Sequence, residues 1–183
     1  FNGGAGESDT VSYSAVASSL NITMAAVGST TTITIDGTDE LVDIENLTGS
    51  KSATNSIVGN ADNNTLIGGD LSDTLKGETG ADRLEGGAGD DRLFAGDDAV
   101  NDYIDGGTTG ANGDWVDYSD VSGKDINIDL TINQATGAGT DTIVGIENIQ
   151  LGAGNDIAHG NVYANSFIGG AGNDTLTYAK AAN

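Results

Sequence analysis

From Gly59 the chain can be cut every nine residues into GNADNNTLI, GGDLSDTLK, GETGADRLE and GGAGDDRLF. The same cut returns as LGAGNDIAH from Leu151, GNVYANSFI from Gly160 and GGAGNDTLT from Gly169. A fixed short period constrains a fold more tightly than composition does. A unit of nine residues cannot bury an apolar face alone and must stack on copies of itself. In each nonamer the sixth residue is Asp or Asn, glycines crowd the first four places, and the eighth is usually a large aliphatic residue, with Ala158 and Phe167 departing.

The residue types explain the spacing. Glycines let the chain take positive φ, turn tightly and bring carbonyl oxygens inward where a side chain would clash. The sixth-place Asp adds a carboxylate to those carbonyls. The next three residues, such as Arg92-Leu93-Phe94, read as extended, with the middle one on the opposite face from its neighbours and filling a core. An oxygen-lined turn with a carboxylate is the donor set of a hard cation such as Ca²⁺.

A longer period lies over the short one. Gly3-Gly4, Tyr13, Ile44-Glu45-Asn46 and Asn64-Thr65-Leu66-Ile67-Gly68-Gly69 recur as Gly106-Gly107, Tyr118, Ile146-Glu147-Asn148 and Asn165-Ser166-Phe167-Ile168-Gly169-Gly170. Residues 1–105 and 106–183 thus read as two copies of one large unit within a single solenoid, itself a piece of a longer protein. Leu20, Ile22 and Met24, and likewise Ile126, Ile128, Leu130 and Ile132, sit at every second position as half-buried strands require. No stretch keeps a helical apolar period, and the 29 glycines would penalise helix interiors.

Composition decides what must supply the folding energy. Leu, Ile, Val and Phe number 39 of 183 residues, close to the roughly 20% below which a highly charged chain stays disordered. There is no cysteine to form a disulfide or a thiolate zinc site. Between Asp70 and Asp117 stand 13 acids and three bases, and stacking them in coils is unfavourable without bound counter-charge. The net charge of −22 argues against nucleic acid and anionic membranes as partners, and no apolar run is long enough to insert in a bilayer.

GGAGDDRLF and GGAGNDTLT resemble the calcium-binding nonapeptide G-G-x-G-x-D-x-U-x of RTX (repeats-in-toxin) proteins, and the segments between the nonamer blocks resemble their spacers. The resemblance implies an all-β fold, a right-handed parallel β-roll or β-solenoid with lateral longer strands, in which two nonamers make one coil. It implies Ca²⁺, several ions, held between a turn and the next turn on the same side. Carried onto this sequence, the turn ending at Asp73 pairs with that ending at Asp91, and Asp156 with Asp174. Asp82 faces Asn64 below and Asp102 above, and Asp91 also faces Asp114. The glycines expected to contribute are Gly68, Gly77, Gly80, Gly86, Gly87, Gly89, Gly152, Gly154, Gly169, Gly170 and Gly172. Asp9, in the one-residue-longer Glu7-Ser8-Asp9, is a further candidate. Asn55, Asn64 and Asn165 remove charge, which weakens or abolishes calcium at their turns.

Function follows as an expectation. The leading reading is a non-enzymatic, calcium-binding structural module of a secreted or cell-surface bacterial protein of adhesin, filament or surface-layer type. It would fold on meeting extracellular Ca²⁺ at about 10⁻⁴ to 10⁻³ M. Its partners would be Ca²⁺, neighbouring domains of the parent chain or another copy of itself, with cell-surface or glycan contact also open. The alternative is the C-terminal folding and secretion module of an RTX exoenzyme, a protease, lipase or epimerase. His159, at an outward ninth place, reads as a surface residue. Phe94, Tyr103 and Trp115 read as packing on the lateral strands, an exposed aromatic patch being the other reading. A threonine ladder of the ice-binding kind is broken at Arg83, Arg92, Ile157 and Ser166.

Overall fold

The computed structural model describes all residues except 5, 7, 27, 35–37 and 179–183. Among the described residues there are nineteen strands and no helix, hence none able to cross a membrane. In chain order the first are β1 Thr10–Ser12, β2 Leu20–Thr23, β3 Thr30–Thr34, β4 Thr38–Val42, β5 Asn46–Thr48 and β6 Asn55–Val58. The nonamer block gives β7 Thr65–Gly69, β8 Thr74–Lys76, β9 Arg83–Gly89, β10 Arg92–Phe94, β11 Tyr103–Thr109 and β12 Trp115–Asp117. Then come β13 Asn127–Asp129, β14 Gln134–Thr136, β15 Thr140–Val144, β16 Asn148–Gln150, β17 Ile157–Gly160, β18 Ser166–Ile168 and β19 Thr175–Tyr178.

Successive nonamer strands alternate between two sheets. One sheet runs β1-β5-β7-β9-β11-β15-β14-β13-β17-β19 and the other β18-β16-β12-β10-β8-β6-β2. Each strand pairs in parallel with the strand two nonamers away, as Thr65 with Arg83 and Thr74 with Arg92. Eighteen residues therefore make one coil, the architecture of a β-roll.

The eighth-place residues explain why the coils stack. Leu47, Leu66, Leu84, Ile104 and Ile143 stand in register in one sheet. Ile22, Ile57, Leu75, Leu93, Val116 and Ile149 do so in the other. All are buried, so two aliphatic columns meet along the axis, and a column of identical shapes packs without a large core.

The spacers depart from the parallel scheme. In the second unit β14 is antiparallel to both β13 and β15, and in the first unit β3 and β4 form a separate antiparallel pair. The turns dictate this. Asn133 takes φ 57° after β13, and Gly137 and Gly139 take φ 122° and 109° before β15, reversing the chain twice. The expected alternation holds at Ile126, Ile128 and Leu130, which are buried, and ends there: Ile132 lies in the first of these turns and is exposed.

Phe94, Tyr103 and Trp115 are half-buried on the outer faces of the two sheets, with Tyr103 beside Thr142 of the spacer strand β15. Arg83 lies over the Tyr103 ring at 4.1 Å, and Arg92 over Phe94 and Trp115 at 5.5 and 5.7 Å. His159 is half-buried on an outer face, its Nδ1 against the Thr177 hydroxyl.

Candidate metal centre

Each sixth-place carboxylate serves two coils. Its Oδ1 accepts the backbone N–H of the equivalent residue one coil below. On one side the ladder runs from Asn55 to Asp73 (2.6 Å), Asp73 to Asp91 (2.7 Å), Asp91 to Asp114 (2.7 Å) and Asp114 to Oε2 of Glu147 (3.0 Å). On the other it runs from Asn64 to Asp82 (2.8 Å), Asp82 to Asp102 (2.8 Å) and Asp102 to Asp141 (3.0 Å). A third piece joins Ile126 to Asp156 (2.8 Å) and Asp156 to Asp174 (3.1 Å). The structure thus brings together Asp73 with Asp91, Asp82 with Asn64 and Asp102, Asp91 with Asp114, and Asp156 with Asp174.

The second oxygen of these carboxylates is the informative one. Oδ2 of Asp73, Asp82, Asp91, Asp114 and Asp156 is buried and has no hydrogen-bond partner among the described residues. A buried acceptor without a donor is costly. The first glycine of each nonamer shows what faces it. A Cβ on Gly86 would meet both Asp91 Oδ2 and the Gly106 carbonyl oxygen, the latter at 2.7 Å. A Cβ on Gly68 would meet Asp73 Oδ2 and the Gly86 carbonyl, and one on Gly106 would meet Asp114 Oδ2 and the Gly145 carbonyl. A carboxylate oxygen and a carbonyl oxygen from adjacent coils thus share a small space with no hydrogen to join them. That is an arrangement for a cation.

Among the described residues no side-chain cation fills it. Lys76, Arg83, Arg92 and Lys124 make their ion pairs with Glu78, Asp120, Glu85, Asp117 and Asp97, outside these ladders. Burial without counter-charge pushes the carboxyls above the ordinary aspartate value of about 3.9. Desolvation, opposed in part by hydrogen bonds, raises Asp73, Asp82 and Asp114 to about 6, Asp91 to about 7 and Asp102 to about 8. Asp141 and Asp156 shift upward for the same first reason. Among the described residues no three acidic, His or Cys side chains gather at one point. The remaining donors for a hard cation are therefore backbone carbonyls, which Ca²⁺ accepts readily.

The RTX calcium-binding nonapeptide repeat model matches in four copies, over residues 52–70, 67–99 and 151–180. Over those residues the chain carries RTX repeats. Such repeats bind Ca²⁺, several ions per array, and are a structural rather than a catalytic unit. No curated relative matches the chain.

The RTX glycines divide by role, which corrects the expectation that all four places serve positive φ. At the second and fourth places Gly87, Gly89, Gly80, Gly170 and Gly172 do, with φ between 89° and 135°, while Gly69, Gly152 and Gly154 do not. Glu78, in a second place, is forced to φ 78°. The first-place glycines Gly68, Gly77, Gly86 and Gly169 are not in that region; at each, a Cβ would strike Oδ2 of the Asp five residues on. They are there for room. A Cβ on Gly152 would strike the carbonyls of Tyr118 and Val121, and one on Gly154 that of Lys124. Gly86→Ala therefore isolates the site from the backbone. Calorimetry is expected to lose binding at the Asp91 corner, with a stability cost of about 1–3 kcal/mol at saturating calcium, whereas an unchanged ion count would contradict this geometry.

The Asn positions close their rungs with hydrogen bonds. Asn55 Nδ2 donates to Asp73 Oδ1 (2.8 Å), Asn64 Nδ2 to the Glu45 carbonyl (3.0 Å) and Asn165 Nδ2 to the Glu147 carbonyl (3.1 Å). Oδ1 of Asn64 is also taken, by the Asn60 N–H (2.8 Å). Asp9 donates its N–H to Glu45 Oε2 (3.0 Å) and Asp174 is exposed; Glu7 lies outside the described residues.

Sequence reasoning missed Glu45, Glu147 and Asp141 as ladder members, though the recurring Ile-Glu-Asn tripeptide held the clue for two of them. It also missed an outer ladder in the fifth place that runs the opposite way. Here the upper coil donates: Ala81 N–H to Asn63 Oδ1 (2.8 Å), Asp90 N–H to Ser72 Oγ (3.2 Å), Gly113 N–H to Asp90 Oδ1 (3.0 Å) and Asn173 N–H to Asn155 Oδ1 (3.1 Å). Corners such as Asp73–Asp91 and Asn64–Asp82 are thereby tied twice, once buried and once exposed.

Proposed function

We propose that this chain is a calcium-stiffened structural module of a secreted or cell-surface protein, of the adhesin, filament or surface-layer kind. Asp73, Asp82, Asp91, Asp102, Asp114 and Asp156, with first-place glycine carbonyls of adjacent coils, hold the ions. The observation that carries this reading is the row of buried Oδ2 atoms, each without a proton donor and, at Gly68, Gly86 and Gly106, facing a carbonyl of the next coil. The ions neutralise carboxylates that the chain's six bases cannot, and they couple coils that otherwise repel.

Residues 1–105 and 106–183 act as two copies of one unit within a single solenoid. Support comes from equivalent residues in equivalent roles: Tyr13 bonds Asp39 and Tyr118 bonds Asp141, while Glu45 and Glu147 each receive a ladder N–H. A parallel coil presents its edge strand to whatever coil comes next, in the parent chain or in another molecule. Light scattering and electron microscopy in about millimolar calcium are expected to show elongated, end-associated rods that disperse and expand in EGTA. A monodisperse particle of one size in both conditions would overturn the proposal.

A further inference from the structure

The chain holds two Asn-Gly dipeptides, Asn2-Gly3 and Asn112-Gly113, the sequence most prone to intramolecular attack because glycine leaves the following amide nitrogen unshielded. Asn112 is exposed to water and Gly113 is buried beside it. One carboxylate clamps both. Asp90 Oδ1 accepts the N–H of Asn112 (2.9 Å) and of Gly113 (3.0 Å), and Asp90 Oδ2 accepts Nδ2 of Asn112 (2.8 Å). From the other side Asn148 Nδ2 donates to the Asn112 carbonyl (2.9 Å). The peptide plane that would have to rotate is held at both its oxygen and its nitrogen.

We propose that Asn112-Gly113 is a latent deamidation site, held unreactive by Asp90 while the coils are joined and released when they part. In the reaction the Gly113 amide nitrogen, its proton taken by water, bonds to Cγ of Asn112. The Cγ–Nδ2 bond then breaks and ammonia leaves with a proton from solvent. Water opens the resulting succinimide to aspartate or isoaspartate, so the net change is consumption of one water and loss of one ammonia. No oxidant or enzyme is required.

Asp90 opposes each stage by position. Its negative charge at the Gly113 nitrogen disfavours deprotonation there, and its hold on Nδ2 keeps Cγ from swinging toward that nitrogen. The product cannot restore the clamp. A carboxylate at 112 has no proton to offer Asp90 and repels it at hydrogen-bond distance. Isoaspartate also lengthens the main chain two residues before Asp114, the partner of Asp91 in the inner ladder. One episode of opening is thereby fixed covalently at that corner.

The clamp stands on the hydrogen bonds alone; only its link to calcium rests on the function proposed above. The test is site-resolved mass spectrometry of the whole 183-residue chain incubated in calcium and in EGTA, following the mass gain at Asn112 with Asn2 as internal reference. In calcium, Asp90→Ala is expected to speed deamidation at Asn112 about tenfold and the isosteric Asp90→Asn about threefold, the rate effects of losing or weakening a charge-assisted bond. Asn2 is expected to stay unchanged, and circular dichroism to show both variants folded. Wild-type chain is expected to reach the Asp90→Ala rate in EGTA. A wild-type rate at Asn112 in a folded Asp90→Asn variant would overturn the clamp. Acceleration in the variants with none in EGTA would overturn the calcium link and leave the clamp standing.

Discussion

In excess EGTA near pH 7.5 this chain is expected to lose most of its strand circular dichroism, and to regain part of it on acidification to about pH 5 without any metal. Both halves follow from the inner ladder. The folded-state values of about 6 for Asp73, Asp82 and Asp114, about 7 for Asp91 and about 8 for Asp102 lie above the ordinary aspartate value. A carboxyl raised on folding binds its proton more tightly in the folded chain. Its stabilising effect is complete below the unfolded value near 4 and is lost as pH rises through about 6 to 8. At neutral pH without metal the ladder must therefore either hold buried charge or come apart. Near pH 5 the Oδ2 of Asp73, Asp91 and Asp114 carries a hydrogen that can bond the facing carbonyl. Calcium reverses the trend, because it binds the ionised form and protons compete with it. Midpoints of thermal unfolding should thus rise with falling pH in EGTA and fall with it in saturating calcium, below about pH 6. Parallel pH profiles in the two buffers would show that these carboxylates do not hold the metal.

How far the sequence reveals this depends on what sets the spacing. Asp73, Asp82 and Asp91 stand nine residues apart because nothing interrupts the coils there, and their leucines follow two residues later. A period read along the chain then equals a position in space. Beyond Asp91 the equality fails: Asp114 meets Glu147, 33 residues on, and Asp102 meets Asp141, 39 residues on. Loops and an antiparallel insert add length without adding a coil. Asp141 holds a ladder position that only the sheet register locates, whereas for Glu147 the repeated Ile-Glu-Asn was the one hint. The fifth-place ladder escaped for another reason. Asn63, Ser72, Asp90 and Asn155 look like interchangeable surface polar residues, and their common property, an acceptor one or two bonds beyond Cβ, matters only once coils lie side by side. Nor could the pattern separate a glycine needed for φ, such as Gly87, from one needed for room, such as Gly86. Both read as a turn.

Replacing Tyr118 by Phe is expected to cost about 1.5–3 kcal/mol, the range for a hydrogen bond to a charged group, although the ring that fills the core is kept. Tyr118 is fully buried, and its hydroxyl donates to Asp141 Oδ2 at 2.7 Å, while Asp141 Oδ1 accepts the Asp102 N–H at 3.0 Å. Burial and the Asp141 charge hold the phenol well above its ordinary value, so it keeps its proton. In the nonamers the corresponding Oδ2 is bare; here a phenol hydrogen occupies that place, and the rung closes without metal. The same device recurs at Tyr13 and Asp39, 3.0 Å apart. These tyrosine rungs are where structure should persist longest under chelation, so the Phe variant should lose more stability in EGTA than in calcium and should erase the residual strand signal that wild type keeps there. Asp141→Asn in the Phe background removes the stranded charge, and a double-mutant cycle should return a coupling of about 1–2 kcal/mol. A Phe variant that melts at the wild-type temperature in both buffers, with no coupling to position 141, would mean that the phenol hydrogen does not stand in for the ion.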